Sequence, residues 1–238
     1  MIILIAGKEG HQKTFTVHKK TLCDASPFFK AHCKPDWMKP DDKIIKLPED
    51  NAEVVRMMIF WIYHNQICIS EIKYDELNTW CTCEEALDSP WGLFTQLYVI
   101  AQKYQMAQLQ NDAIDALLDL GAKWVLAPGT ISWVYENTAK GDNLRKLIFR
   151  IAREDLTRSD LASFCDNLCQ QFLFDMTYAA AQSDSHGKLE DNDKLCSIEN
   201  PQEEFCAEYH HHDVGHDVGH GGKKCKKVKP FIEALNHE

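Results

Sequence analysis

No apolar run in this 238-residue chain approaches the roughly 18 residues that a membrane-crossing helix needs. The opening MIILIA is broken at once by Gly7, Lys8 and Glu9. Basic charge is also short, with 26 Lys and Arg against 36 Asp and Glu and a formal net charge of −10. Nucleic-acid binding depends on neutralising phosphates, so this balance argues against it, local basic clusters apart. No glycine-rich phosphate loop, nucleophile elbow or paired Cys/His finger spacing occurs, which leaves phosphate, nucleotide and acyl chemistry without a constellation. The chain therefore reads as a non-enzyme with no cofactor. Its ten cysteines, with no leader pattern ahead of them, read as reduced thiols, and the expected location is the cytoplasm, the nucleus or both.

What the chain does have is apolar mass, 45% of its residues, and a strongly patterned start. Thr14, Phe15, Thr16 and Val17 alternate as a strand with one buried face must. An earlier strand over Ile2 to Ile5 is predicted to turn back at Gly7-Lys8-Glu9-Gly10. Leu22 with Ala25, then Phe28, Phe29, Ala31 and His32, suit two short helices split by Ser26-Pro27, where serine accepts free backbone N–H groups and proline takes the first helical position. The stretch KIIKLPED follows at 43–50, then the very apolar MMIFWIYHN at 57–65. Asp50 is expected to cap that helix, with Glu53 completing a capping box. From Val54 to Tyr63 the helix is apolar nearly all round, which predicts a central position.

The order F-x-V-H-K-x-x-L-C-x-x-S-P-F-F-x-A, then I-x-L-P-E-D, then a helix ending W-I-Y resembles the BTB/POZ domain, in particular its fungal type, over about residues 1–122. The resemblance implies an α+β fold, a small mixed sheet with a helical cluster. It also implies protein–protein association: an adaptor or scaffold, including a substrate receptor for a cullin-type ubiquitin ligase, or alternatively a transcription regulator or a self-associating protein. Cullin-binding members present a bulky apolar residue, any residue, then Glu after the second helix. The corresponding segment here is Trp37-Met38-Lys39, the candidate partner-binding residues, with the anchor kept and the acid replaced by a base. Dimeric members exchange a segment ahead of the first strand; Met1 falls inside that strand, so the expectation is a monomer or weak homodimer.

Residues 66–89 read as an insertion, with a candidate strand at Gln66–Ser70 and an acidic, cysteine-bearing stretch. Ser89-Pro90 repeats the cap-plus-proline signal, and Leu93, Leu97, Ile100, Ala101 and Tyr104 fall at helical spacing. A second helix carries Leu109, Ala113, Ile114, Leu117 and Leu118 up to Gly121, placed as its C-terminal cap. Beyond a Pro128-Gly129 turn, helices are predicted over Thr130–Ala139, Asn143–Glu154 and Ser159–Gln182, an all-helical extension (123–182) that must pack on the first unit to bury its apolar stripes. Residues 183–238 read as a disordered tail, dispensable for folding. Eight acidic groups against two lysines occupy 183–208, an Asp-Val-Gly-His tandem 213–220, and five lysines 223–229, a composition also found in nuclear import signals.

Candidate chemistry has bland readings throughout. Cys196, Cys206, His210 and His212 offer metal-ligand types, but their spacing matches no zinc pattern and no metal is expected. Cys81 and Cys83 stand too close together for a zinc knuckle. Cys165 and Cys169, four apart on a predicted helix, read as small hydrophobes. His18 beside Cys23 would suit an activated thiol, yet no orienting group or oxyanion turn accompanies them; the resemblance implies a capping histidine and a packed cysteine instead.

Overall fold

The computed structural model describes residues 1–34, 43–69, 84–121, 126–183, 205–206, 208–211 and 232–233. Strand β1 (Ile2–Ala6) pairs antiparallel with β2 (Lys13–Val17), Ile2 opposite Val17, and parallel with β3 (Ile44–Leu47), Ile3 opposite Ile44. The order β2-β1-β3 makes the small mixed sheet. Ile2, Leu4, Ala6, Val17, Ile45 and Leu47 all point to the buried face, as strand alternation requires. The hairpin turns through Gly7 at a φ of +101°, where an added Cβ would lie 2.9 Å from the His11 carbonyl oxygen.

Helices α1 (Lys19–Ala25) and α2 (Pro27–His32) form the corner signalled by Ser26-Pro27, and the Ser26 hydroxyl accepts the Phe29 N–H. Helix α3 (Ala52–His64) crosses the core on Val54, Val55, Met57, Met58 and Trp61, while Tyr63 comes out to solvent. Asp50 does not cap it. Asn51 accepts the Glu53 N–H at 2.8 Å, Asp50 turns to Lys103 and Tyr104, and the Glu53 carboxylate goes to Arg56. The helix closes on Asn65 in the left-handed conformation, its N–H on the Trp61 carbonyl.

The short strand β4 (Cys68–Ile69) lies inside the predicted one and pairs parallel with β5 (Ile232–Glu233). A 3₁₀ turn at Glu84–Leu87 leads to α4 (Pro90–Lys103), capped by Ser89, which packs extensively on α5 (Ala107–Gly121). Gly121 is the last residue of α5.

The extension holds α6 (Pro128–Asn137), α7 (Asn143–Asp155), α8 (Arg158–Phe164) and α9 (Gln170–Ser183). Pro128 is the first residue of α6, not part of a turn before it. The single helix expected from Ser159 is interrupted by a 3₁₀ turn at Cys165–Asn167. The break is stabilised from α6: Ser132 Oγ donates to the Asn167 carbonyl at 2.8 Å and accepts the Cys169 N–H at 3.0 Å, pairing backbone groups the helix gives up. Leu144, Leu147, Ile148, Ile151 and Ala152 form the buried stripe of α7. They join β1, α3, α4 and α5 in one continuous apolar core, as the packing requirement predicted.

Candidate interaction surface

The α1–α2 corner is anchored by a buried polar chain. Ser26, fully buried, donates its hydroxyl proton to the Tyr104 carbonyl at 2.6 Å. Tyr104, at the end of α4, donates its own hydroxyl proton to the Asp50 carboxylate, which also receives Lys103 Nζ at 2.7 Å. Burial and the Asp50 carboxylate both push the Tyr104 phenol up, so it stays a donor. Phe29 packs on Tyr104 at a tilt with ring centroids 4.6 Å apart, and Phe28 leans on the same ring at 5.2 Å while 36% of it remains exposed. The corner thus displays an aromatic ring on a rigid base, next along the chain to Trp37-Met38-Lys39.

On the other side of the corner a cleft of about 490 Å³ opens between α1 and α3, lined by Lys20, Asp24, Trp61, Ile62 and Asn65 among others. The His18 N–H donates to the Tyr63 hydroxyl at 3.0 Å and the His18 Nδ1 lies 2.8 Å from the same oxygen, tying the start of α1 to the end of α3. Trp61, one of the lining residues, donates its Nε1 proton to Asp112 Oδ2 of α5 at 2.7 Å. The outward face of the sheet sets Ile3 beside Ile44, the latter 46% exposed.

Trp37, Met38 and Lys39 lie outside the described residues, as do Cys81, Cys83, Cys196, His212 and the lysine cluster at 223–229. His18 stands at the N-cap position of α1 by its backbone but makes no side-chain cap bond, its imidazole being turned to Tyr63. Cys23 is half-buried and points its thiol at the Phe29 carbonyl. Leu22 of α1 is wholly buried in the core. Cys165 is exposed and stands in the 3₁₀ turn itself, so the reading as a small hydrophobe fails for it, while Cys169 is half-buried against the core. Among the described residues no three His, Cys, Asp or Glu are grouped to hold a metal ion.

The stretch around Cys206 departs from the reading of a disordered tail. Phe205, Tyr209 and His210 are buried, Phe205 and Tyr209 packed ring to ring at 4.8 Å. His210 Nε2 lies 2.8 Å from Asp115 Oδ1. The acidic composition of 183–208 masked Phe205, which stands four residues ahead of Tyr209, a spacing that gives a helical turn an apolar side.

No curated protein matches the chain. Residues 2–119 match the BTB/POZ domain family, and they coincide with the sheet, the α1–α2 corner, α3 and the α4–α5 pair. Domains of this family mediate association with other proteins and with copies of themselves. With its three-stranded mixed sheet under a helical cluster, the N-terminal half of this chain is a BTB/POZ domain, a protein–protein interaction module.

Proposed function

We propose that the protein is an adaptor or scaffold of the fungal BTB/POZ type, acting in the cytoplasm, the nucleus or both. Residues 1–122 serve as the interaction unit and 123–182 as its helical extension. A cullin-type ubiquitin ligase scaffold is the first partner to test. The observation that carries the reading is Phe28: an aromatic ring held on Tyr104 and Phe29 yet left 36% exposed, a few residues ahead of Trp37 and Met38. Aromatic and Met side chains on preorganised supports are the usual anchors of interfaces. Lys39 stands where cullin-binding members of the family carry Glu, so a cullin pocket would meet a base in place of the acid.

Affinity purification of the tagged full chain, with mass spectrometry of what it retains, is the test. A cullin that disappears with Trp37→Ala supports the receptor role. Other partners lost with Phe28→Ala or Trp37→Ala support an adaptor without cullin. Partners retained at wild-type yield by both variants overturn the proposal. Self-association is the second reading, favoured by the Ile3–Ile44 strip on the outer sheet face. Light scattering at micromolar concentration is expected to give a monomer or a dimer that dissociates on dilution.

A further inference from the structure

Tyr209 and His211 are held through their backbone as well as their side chains. The Asn111 side chain on α5 forms a paired amide contact with His211, accepting its N–H at 2.6 Å and donating to its carbonyl at 2.9 Å. Asn143, the first residue of α7, donates to the Tyr209 carbonyl at 3.1 Å. Two asparagines on two helices therefore clamp alternate residues of one short segment. Such contacts read a main chain and carry no preference for side chains, so selection must come from elsewhere.

Side-chain selection is supplied around them. Phe205 and Tyr209 insert as a buried pair, with 4% and 1% of their surfaces exposed. Arg150 of α7 reaches the Tyr209 hydroxyl and the Glu208 carboxylate, each at 3.5 Å. Burial pushes the Tyr209 phenol up to about 12, so it remains a neutral hydrogen-bonding group at physiological pH. His210 meets Asp115, and His211 Nε2 sits 2.8 Å from the Tyr98 hydroxyl on α4. The donors, acceptors and apolar slots thus match a Phe-x-x-x-Tyr-His-His pattern at several independent points.

We infer that the face formed by α4, α5 and α7 is a peptide-recognition groove, and that residues 205–211 are its ligand, tethered in cis and exchangeable with a free peptide of the same sequence. The sequence supports the exchange. Twenty-one residues separate Ser183 from Phe205, a length that reaches about 70 Å at full extension, so release needs no unfolding of α9. A ligand on a tether of this kind acts at an effective concentration in the millimolar range, which keeps the groove filled while leaving the segment free to leave. The asparagine clamp links the two halves of the body as well: Asn111 belongs to the BTB/POZ domain and Asn143 to the helices that follow it.

The test uses the full-length chain and a fluorescein-labelled peptide spanning residues 203–213, with Cys206→Ser to prevent thiol exchange. Fluorescence anisotropy is expected to show weak binding to the wild type, whose groove is occupied. Phe205→Ala/Tyr209→Ala in the full chain empties the groove, and the peptide then binds about 30-fold more tightly. Adding Asn111→Ala to that variant abolishes the gain. A double variant that stays folded by circular dichroism yet binds no better than wild type overturns the inference. If the double variant does not fold, a full chain carrying an inserted protease site within 184–204 is cleaved after folding. A tail fragment that dissociates on dilution, leaving a folded body that rebinds the labelled peptide, upholds the inference. A fragment that cannot be removed without unfolding shows residues 205–211 to be an integral part of the core and overturns it.

Discussion

Ser26 Oγ donates to the backbone carbonyl of Tyr104 at 2.6 Å across 78 residues of sequence, while accepting the Phe29 N–H at 3.2 Å. One hydroxyl thereby caps α2 and fastens the α1–α2 corner to the end of α4. Ser26→Ala removes both bonds and leaves a buried carbonyl without this donor. The expected loss is about 2–3 kcal/mol of unfolding free energy, combining a cap with a buried hydrogen bond. Urea unfolding of the two chains measures it, and a loss below about 0.5 kcal/mol would show that the corner is held by ring packing alone.

Gly92 sits in the first turn of α4, where an added Cβ would run into the Ala86 carbonyl and the Leu87 backbone. Neither obstacle is a movable side-chain end. Gly92→Ala is expected to destabilise by about 1–3 kcal/mol, despite alanine's better helix propensity. A thermal midpoint at or above wild type contradicts the close approach.

Asp155 ends α7 with its carboxyl pKa raised, chiefly by burial and secondarily by Glu154. A carboxyl raised on folding favours the folded state at low pH, and that contribution is lost as pH rises through the folded value. The negative end of the helix dipole adds to the penalty on its charge. Asp155→Asn should therefore be more stable than wild type at pH 7, with the gap closing towards pH 3. Thermal midpoints across that range check the sign; a gap that grows on acidification refutes it.

Cys33 is buried and its thiol pushed up to about 11 by burial and by Cys23 beside it, whereas Cys165 is exposed. At pH 8 only about 0.1% of Cys33 is thiolate. Alkylation followed by peptide mass mapping should modify Cys165 well before Cys33, which reacts only on unfolding. Equal rates in the native protein would contradict the packing of the α2 end.

Phe205 and Tyr209 are buried, which bears directly on the expectation that everything past Gln182 is dispensable. A chain ending at Glu204 loses two buried aromatics, and after the cost of ordering the segment a net loss of about 2 kcal/mol is expected. For a chain of this size that lowers the thermal midpoint by about 5 °C. An unchanged midpoint would show the segment to add nothing to stability.

Local chemistry determined much of the BTB/POZ half. Strand alternation at 14–17, the Ser-Pro steps at 26–27 and 89–90, and the 3.6-residue stripe of α4 each state their own structure, because each depends on neighbours within a turn or a pleat. The motif order was legible for the same reason. Residues whose partners are distant in sequence were not. Asp50 carries a good capping side chain, but Lys103 and Tyr104 compete for it, and Asn51 takes the cap. The apolar pattern from Ser159 runs through a break that Ser132, on another helix, makes tolerable. Phe205 and Tyr209 stand in an acidic stretch whose average composition predicts disorder, and they are ordered by Asn111, Asn143 and Arg150, supplied from 59 to 100 residues away. Periodicity and capping are properties of a few consecutive residues; which polar group receives which partner is decided only when folding brings the helices together.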